Sequence, residues 1–143
     1  MRKIDYKLVA AVIVPLLFWL VTYNSLARSV AWDAAYFKDG MANTIALFLL
    51  IPLAEEVVFR GFLQGELLSN VWFRLKTVGV SRANLATSCV FAGAHLWQHP
   101  LTLFPGYFVV SLVLGFFRER YGGLLIPVLL HCYYNLGLWV FTG

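Results

Sequence analysis

A chain of 143 residues that is 61% hydrophobic, 17% aromatic and only 13% charged lies far from the soluble average, in which charged residues alone make up about 25%. It reads as an integral membrane protein with an all-α fold, a single domain over residues 1–143, and it excludes a separate soluble domain. The 11 Lys and Arg against 7 Asp and Glu give a net charge of +4, but the basic residues cluster at helix ends, so they report membrane orientation and no nucleic-acid partner is expected.

In chain order, MRKIDYK and the apolar stretch from Leu8 to Val21 imitate a secretory signal, with Ser25-Leu26-Ala27 as a small-residue cleavage pattern. A retained signal anchor, a first helix over about residues 7–27, is preferred, because the later segments need a spanning element to set their direction. Segment two runs over 41–68, segment three over 82–98, segment four over 101–117 and segment five over 122–141. Each is near the roughly 20 residues that a helix needs to cross the hydrocarbon core. The expected architecture is a polytopic bundle of about five transmembrane helices, with a motif-bearing core over about 41–141. No internal repeat or low-complexity stretch interrupts it.

With the amino terminus in the cytoplasm, Arg2, Lys3, Lys7, Arg74, Lys76, Arg82, Arg118 and Arg120 lie inside, and Arg28 and Lys38 outside. That is a strong positive-inside bias. Trp32, Tyr36, Trp97 and Trp139 then fall near outer helix ends and Trp72 near an inner one, as rings at headgroup level would. Cys89 and Cys132 lie in apolar segments and read as small buried packing thiols.

Segment two carries the informative departure. Glu55, Glu56 and Arg60 sit in a run, MANTIALFLLIPLAEEVVFRGFL, that otherwise reads as membrane-spanning helix. A charged side chain near a bilayer centre costs at least roughly 2.5–3.5 kcal/mol on insertion scales, so three within six residues mark a functional site. Glu56 and Arg60 are four apart with the acid first, the better order for an ion pair on one helix face. Glu55 projects about 100° away from Glu56 and is the carboxylate left for chemistry.

Phe91 and His95 in segment three, and His131 and Asn135 in segment five, are also four apart and share a helix face. At 1.5 Å per residue, Glu55 lies about 20 Å from the outer end of its helix and His95 about 20 Å from the inner end of its own, with His131 and Asn135 about 14 and 20 Å from the inner end of theirs. All four can meet at one depth. Pro52 and Pro127 remove backbone hydrogen bonds near this level and open the interior. Gly61 and Gly65 form a small-xxx-small pair for close helix approach, with Gly93 and Gly115 as further contributors.

A carboxylate and a neutral imidazole that share a water can take its proton and aim it at a carbonyl without a covalent nucleophile. His131 and Asn135 can present N–H donors from one face to the oxyanion that forms. The expected chemistry is hydrolysis of an amide bond within or at the edge of the membrane.

The pattern EEVVFRG at Glu55–Gly61, FAGAH at Phe91–His95 and HCYYN at His131–Asn135 resembles the three motifs of the CAAX protease and bacteriocin-processing family, the intramembrane glutamic endopeptidases. Order, spacing and membrane context agree over roughly the last 90 residues. The resemblance implies a metal-independent, cofactor-free protease in which Glu55 and His95 activate water and His131 and Asn135 hold the oxyanion. Glu56 and Arg60 would support the second helix, with Phe91 beside them. It also implies a membrane-anchored protein or peptide substrate, while the small size of the chain and its lack of eukaryotic targeting signals fit a multi-pass location in a bacterial inner membrane. The chain is shorter than typical members, so it would be a near-minimal core. Its size and general look are similar to the members that process C-terminal sorting signals of the JDVT-CTERM type. Oligomeric state is left open.

Other readings stand beside this one. His95 and His99, with Glu55 and His131, could ligate zinc, although no HExxH motif is present. Cys132 adjoins His131, but consecutive residues diverge round a helix, and Cys89 lies off the His95 face. The resembled family includes members linked to bacteriocin immunity, in which a bundle acts by binding a partner. A small transporter or proton relay also uses buried Glu and His. Finally, intramembrane His and Asn often only bond a neighbouring helix, for about 0.6 kcal/mol.

Overall fold

The computed structural model describes residues 5–26 and 45–142, with side chains over 5–17 and 45–138. Arg2, Lys3, Arg28, Trp32, Tyr36, Lys38, the start of segment two and the Trp139 side chain lie outside the described residues. The described chain is helical over most of its length. It divides into two compact units, one of residues 1–52 with 129–143 and the other of residues 53–128.

In the first unit, α1 (Tyr6–Leu26) contains Pro15, which has no N–H and so leaves the carbonyl four residues back, that of Ala11, without its helical donor. The Tyr134 hydroxyl fills that place, donating to the Ala11 carbonyl at 2.9 Å, and the Tyr133 hydroxyl donates to the Val12 carbonyl at 2.7 Å. Both tyrosines come from α6 (Leu125–Thr142). The two tyrosines of the HCYYN motif thus hold α1 by supplying donors where proline removed one, as an apolar setting without water requires.

Segment two is one continuous helix, α2, over residues 46–69, but its winding changes along its length. Ala46–Leu50 and Val57–Leu63 are π-helical, with α-helical turns Ile51–Glu56 and Gln64–Ser69 after them. The Ile51 N–H bonds the Ala46 carbonyl and the Gln64 N–H bonds that of Phe59, each five residues back. The first widened stretch ends two residues before Pro52, where the ladder must lose a donor in any case.

After α2 the chain makes α3 (Val71–Arg74), whose first turn is capped by the Asn70 side chain accepting from the Trp72 N–H at 2.9 Å. A small antiparallel hairpin follows, β1 (Lys76–Thr77) with β2 (Val80–Ser81), in register Lys76 to Ser81 and Thr77 to Val80. This is the one departure from the all-α expectation among the described residues. Its two turn residues, Val78 at φ 53° and Gly79 at φ 83°, have the positive φ that a two-residue hairpin turn demands. Glycine takes it freely, whereas a β-branched valine there costs about 1–3 kcal/mol.

Ser81 caps α4 (Arg82–His95), its hydroxyl accepting from the Asn84 N–H at 2.9 Å. A 3₁₀ turn, Leu101–Leu103, leads into α5 (Phe104–Tyr121), which closes on Gly122 in the left-handed region. Helices therefore stand in all five expected places. By length and composition Leu101–Tyr121 can cross a membrane, and Tyr6–Leu17 and Leu125–Leu138 are shorter apolar helices among the described residues.

The second unit packs α2, α4 and α5 around an interior that is largely polar. Glu56, Arg60, Gln64, Ser81, Asn84, Thr87, Ser88 and Ser111 are buried beside Ala83, Phe91, Ala92, Leu114 and Phe117. Burying polar groups costs free energy unless they bond to one another, and here most of them do, Thr87 Oγ1 and Gln64 Oε1 being exceptions. Gln64 Nε2 donates to the Gly115 carbonyl at 3.1 Å and to Glu119 Oε1 at 2.9 Å. Asn84 Nδ2 donates to the Leu112 carbonyl at 2.9 Å and Ser88 Oγ to Asn84 Oδ1 at 3.2 Å. Glu119 also accepts from Ser81 Oγ and pairs with Lys76 at 3.0 Å.

Two expectations are corrected here. A Cβ on Gly115 would stand 2.0 Å from Asn84 Oδ1, and one on Gly61 3.4 Å from Leu124, whereas Gly93 has nothing within 4 Å and Gly65 only its own helix's Arg60 carbonyl. The close approach therefore belongs to Gly115 and, less tightly, Gly61, rather than to a Gly61-Gly65 pair. Cys89 is exposed and Cys132 half-buried, both free thiols. The buried residues of α4, namely Ala83, Asn84, Thr87, Ser88, Phe91 and Ala92, follow a helical stripe, and Cys89 falls on the opposite face with Leu85 and Val90.

Candidate active site

Along α2 the two neighbouring glutamates turn to different surroundings, as the 100° step between consecutive helical residues dictates. Glu56 is fully buried and its carboxylate lies 3.0 Å from Arg60 Nη1, itself fully buried. Arg60 Nη2 donates to Ser111 Oγ at 2.8 Å and to the Ser111 carbonyl at 3.2 Å, which ties α2 to α5. Its guanidinium sits 4.6 Å over the Phe91 ring, which ties α2 to α4 through a cation–π contact. Arg118 Nε in turn donates to the Arg60 carbonyl at 3.2 Å. Phe91 completes this junction edge-on against Phe59, with centroids 5.0 Å apart.

Glu55 projects toward α4 instead. Its Oε1 lies 3.9 Å from His95 Nε2, with the two side chains 26% and 19% exposed. The imidazole is fixed from its other side, where Nδ1 lies 2.9 Å from the Phe91 carbonyl. A carbonyl can only accept, so the hydrogen-bond network assigns the proton to Nδ1 and turns Nε2 toward Glu55. Phe91 and His95 therefore do share a helix face, and the spacing of four places one residue's carbonyl under the other's ring.

The imidazole is also clamped by rings. Phe91 is tilted against it at 4.5 Å, and Tyr107 of α5 stacks on it at 4.3 Å with 28° between the planes. Tyr107 is the residue that sequence reasoning missed. Its only signal was an aromatic near the start of segment four, a few residues past the short connection that leaves His95. His99, in that connection, packs against Tyr107 at 5.4 Å and lies 6.3 Å from His95 with nearly parallel planes. Partial burial, and then the neighbouring His95, lower its pKa from the ordinary histidine value. Among the described residues no three His, Cys, Asp or Glu side chains group as metal ligands.

His131 is buried and Asn135 half-buried, one turn apart on α6 within the first unit. Glu55 and His95 belong to the second unit. The grouping of all four rests on the three sequence motifs.

Fold and site together define a helical protein with a carboxylate, an imidazole and a buried Glu–Arg pair set among apolar helices. The chain matches the family model described as type II CAAX prenyl endopeptidase Rce1-like over residues 37–137, and it belongs to that family of membrane proteins. Among curated proteins, the "Uncharacterized 24.3 kDa protein" of Escherichia coli is 36% identical over 93 residues, 65% of this chain and 41% of that protein. The chain thus spans well under half the length of the curated relative it matches. No solved structure matches.

Proposed function

We propose that this chain is an intramembrane endopeptidase in which Glu55 and His95 jointly activate a water molecule for attack on a peptide bond. The observation that carries the reading is the 3.9 Å between Glu55 Oε1 and His95 Nε2, with the Nδ1 proton held by the Phe91 carbonyl. That separation is too long for a direct hydrogen bond, yet one water about 2.8 Å from both atoms would see them at an angle of about 90°, close to its own preferred geometry. One of its protons would point at the carboxylate and the other at the unprotonated Nε2. Either group can act as the general base, and the imidazolium or carboxylic acid so formed can return the proton to the leaving amine.

His131 and Asn135 supply oxyanion donors in this reading, on the strength of the HCYYN motif and its resemblance to the family's third motif. Glu56 and Arg60 take no part in proton transfer and hold α2 against α4 and α5. No metal or cofactor enters the scheme. The substrate class is a membrane-anchored protein or peptide, with processing of C-terminal sorting signals as the finer proposal. The setting is a five-span, amino-terminus-inside arrangement in a bacterial inner membrane.

The test is cleavage of a panel of membrane-anchored reporter proteins by the full chain in liposomes, comparing the wild type with Glu55→Gln and each with and without a strong chelator. Cleavage by the wild type that survives the chelator and is lost in the variant supports the scheme. Loss with the chelator replaces it with a metal-dependent one, and no cleavage of any reporter moves the chain to a partner-binding role.

A further inference from the structure

The connection between α2 and α4 holds a feature that the peptidase reading leaves unused. Val78 at the hairpin tip is 99% exposed and has a positive φ of 53°, a conformation that suits Asn, Asp or Gly far better than a β-branched residue. A strained backbone persists only where the surroundings favour the residue for another reason. Water does not favour an exposed valine. Val71, Trp72 and Leu75 in the same connection are also exposed.

The charge of this connection is one-sided. Residues 70–82 contain Arg74, Lys76 and Arg82 and no carboxylate. The segment is also held firmly. Lys76 and Ser81, facing each other across the hairpin, both reach Glu119 of α5, and the Arg82 N–H donates to the Leu75 carbonyl at 3.0 Å. The Arg82 guanidinium lies 4.2 Å over the Trp72 ring, which pairs a cation with an amphipathic ring that belongs at headgroup depth.

We infer that the 70–82 connection is a surface anchor for acidic phospholipid: Val78 dips past the headgroups at that end of α2 and α4, while Arg74 and Arg82 engage the phosphates and Lys76 stays tied to Glu119. The pieces then have one explanation. An apolar tip is favoured in lipid, an acidic leaflet attracts the basic collar, and the Glu119 ties keep the hairpin at a fixed height. Each basic group near an acidic surface multiplies partitioning by roughly fivefold, so the charge of the lipid, and not the apolar tip alone, sets the depth. The anchor is independent of whether the chain is a peptidase.

The full chain carrying Val78→Cys with Cys89→Ser and Cys132→Ser is spin-labelled and reconstituted in phosphatidylcholine vesicles, with and without phosphatidylglycerol. Relaxation of the label by oxygen, which concentrates in lipid, is compared with relaxation by a water-soluble nickel complex. Expected is an oxygen-dominated signal in acidic vesicles, and an oxygen-to-nickel ratio several-fold lower in neutral vesicles or high salt. Equal access of nickel in every vesicle overturns the anchor. Equal immersion in neutral and acidic lipid overturns the role of the basic collar, and shielding from both reagents replaces lipid with a protein cover. As a second measurement, Val78→Asn relieves the turn, so its thermal midpoint in detergent equals or exceeds that of the wild type. The midpoint gain of the wild type on adding phosphatidylglycerol should be reduced in this variant, and an undiminished gain overturns the proposal.

Discussion

Glu55 and Glu56 are the same residue type, adjacent in the chain and on the same helix, yet the structure gives them opposite situations. Glu56 is fully buried against Arg60, which in turn bonds Ser111 and lies over the Phe91 ring, whereas Glu55 stands partly open beside an imidazole that it does not quite touch. The difference teaches how a carboxylate within a helix bundle can be made structural or available. Full burial with a cation at 3.0 Å closes the Glu56 carboxylate off from its surroundings. A gap of 3.9 Å, with partial exposure, leaves Glu55 room for a third participant. One step of helix rotation separates the two.

The sharpest way to break that contrast is to remove the buried cation. Arg60→Ala strands the Glu56 charge and is expected to cost about 3–5 kcal/mol, because an uncompensated buried charge is worse than no charge at all. The measurement is thermal unfolding of the detergent-solubilised chain together with its yield. The double change Glu56→Gln with Arg60→Met, which removes both charges, is expected to recover much of that loss, and no recovery would mean that Arg60 acts mainly through Ser111.

Next in size is Gly115→Ala. A new Cβ 2.0 Å from Asn84 Oδ1 forces α4 and α5 apart or displaces the amide, for about 1–3 kcal/mol. Combining it with Asn84→Ala is expected to cost less than the two single losses added, the signature of contacting residues.

Glu55→Gln is expected to change stability by about 0.5 kcal/mol or less, as for a partly exposed isosteric change, while abolishing the cleavage proposed above. A large stability loss would place Glu55 with Glu56 as a structural residue. The smallest expected effect is that of Tyr107→Phe. It keeps the ring stacked on His95, so cleavage should stay within about threefold of the wild type. Tyr107→Leu removes the ring and should lower the cleavage rate more than reporter affinity. Equal losses in the Phe and Leu variants would shift the role from the ring to the hydroxyl.

Features that depend on one helix were open to the sequence. The Glu56–Arg60 pair and the shared face of Phe91 and His95 follow from a spacing of four, and the three motifs identified the family. Helices also stand where the five apolar segments were expected. Features that depend on distant parts of the chain meeting were closed to it. Gln64 bonding Gly115 and Glu119, Tyr107 covering His95, and Tyr134 serving the carbonyl orphaned by Pro15 all join residues a dozen or more positions apart. Cys89 was misread because an apolar segment alone does not say which side of a helix faces inward, and the inner side of α4 carries the polar Asn84, Thr87 and Ser88 as well as Ala83, Phe91 and Ala92. The hairpin was missed because its tip carries Val78 where turn chemistry would put Asn or Gly.

The π-helical stretch Val57–Leu63 has a consequence for insertions and deletions. A π turn is an α-helix that has taken in one extra residue. Losing a single residue there would let the stretch wind as ordinary α-helix and leave Gln64 near its present direction relative to Glu55 and Glu56, because the wider turn already absorbs the extra residue. The same loss from the α-helical turn Ile51–Glu56 would instead swing everything after it by about 100°. Val57–Leu63 is therefore the stretch of α2 where a change of one residue disturbs the phase of its two halves least.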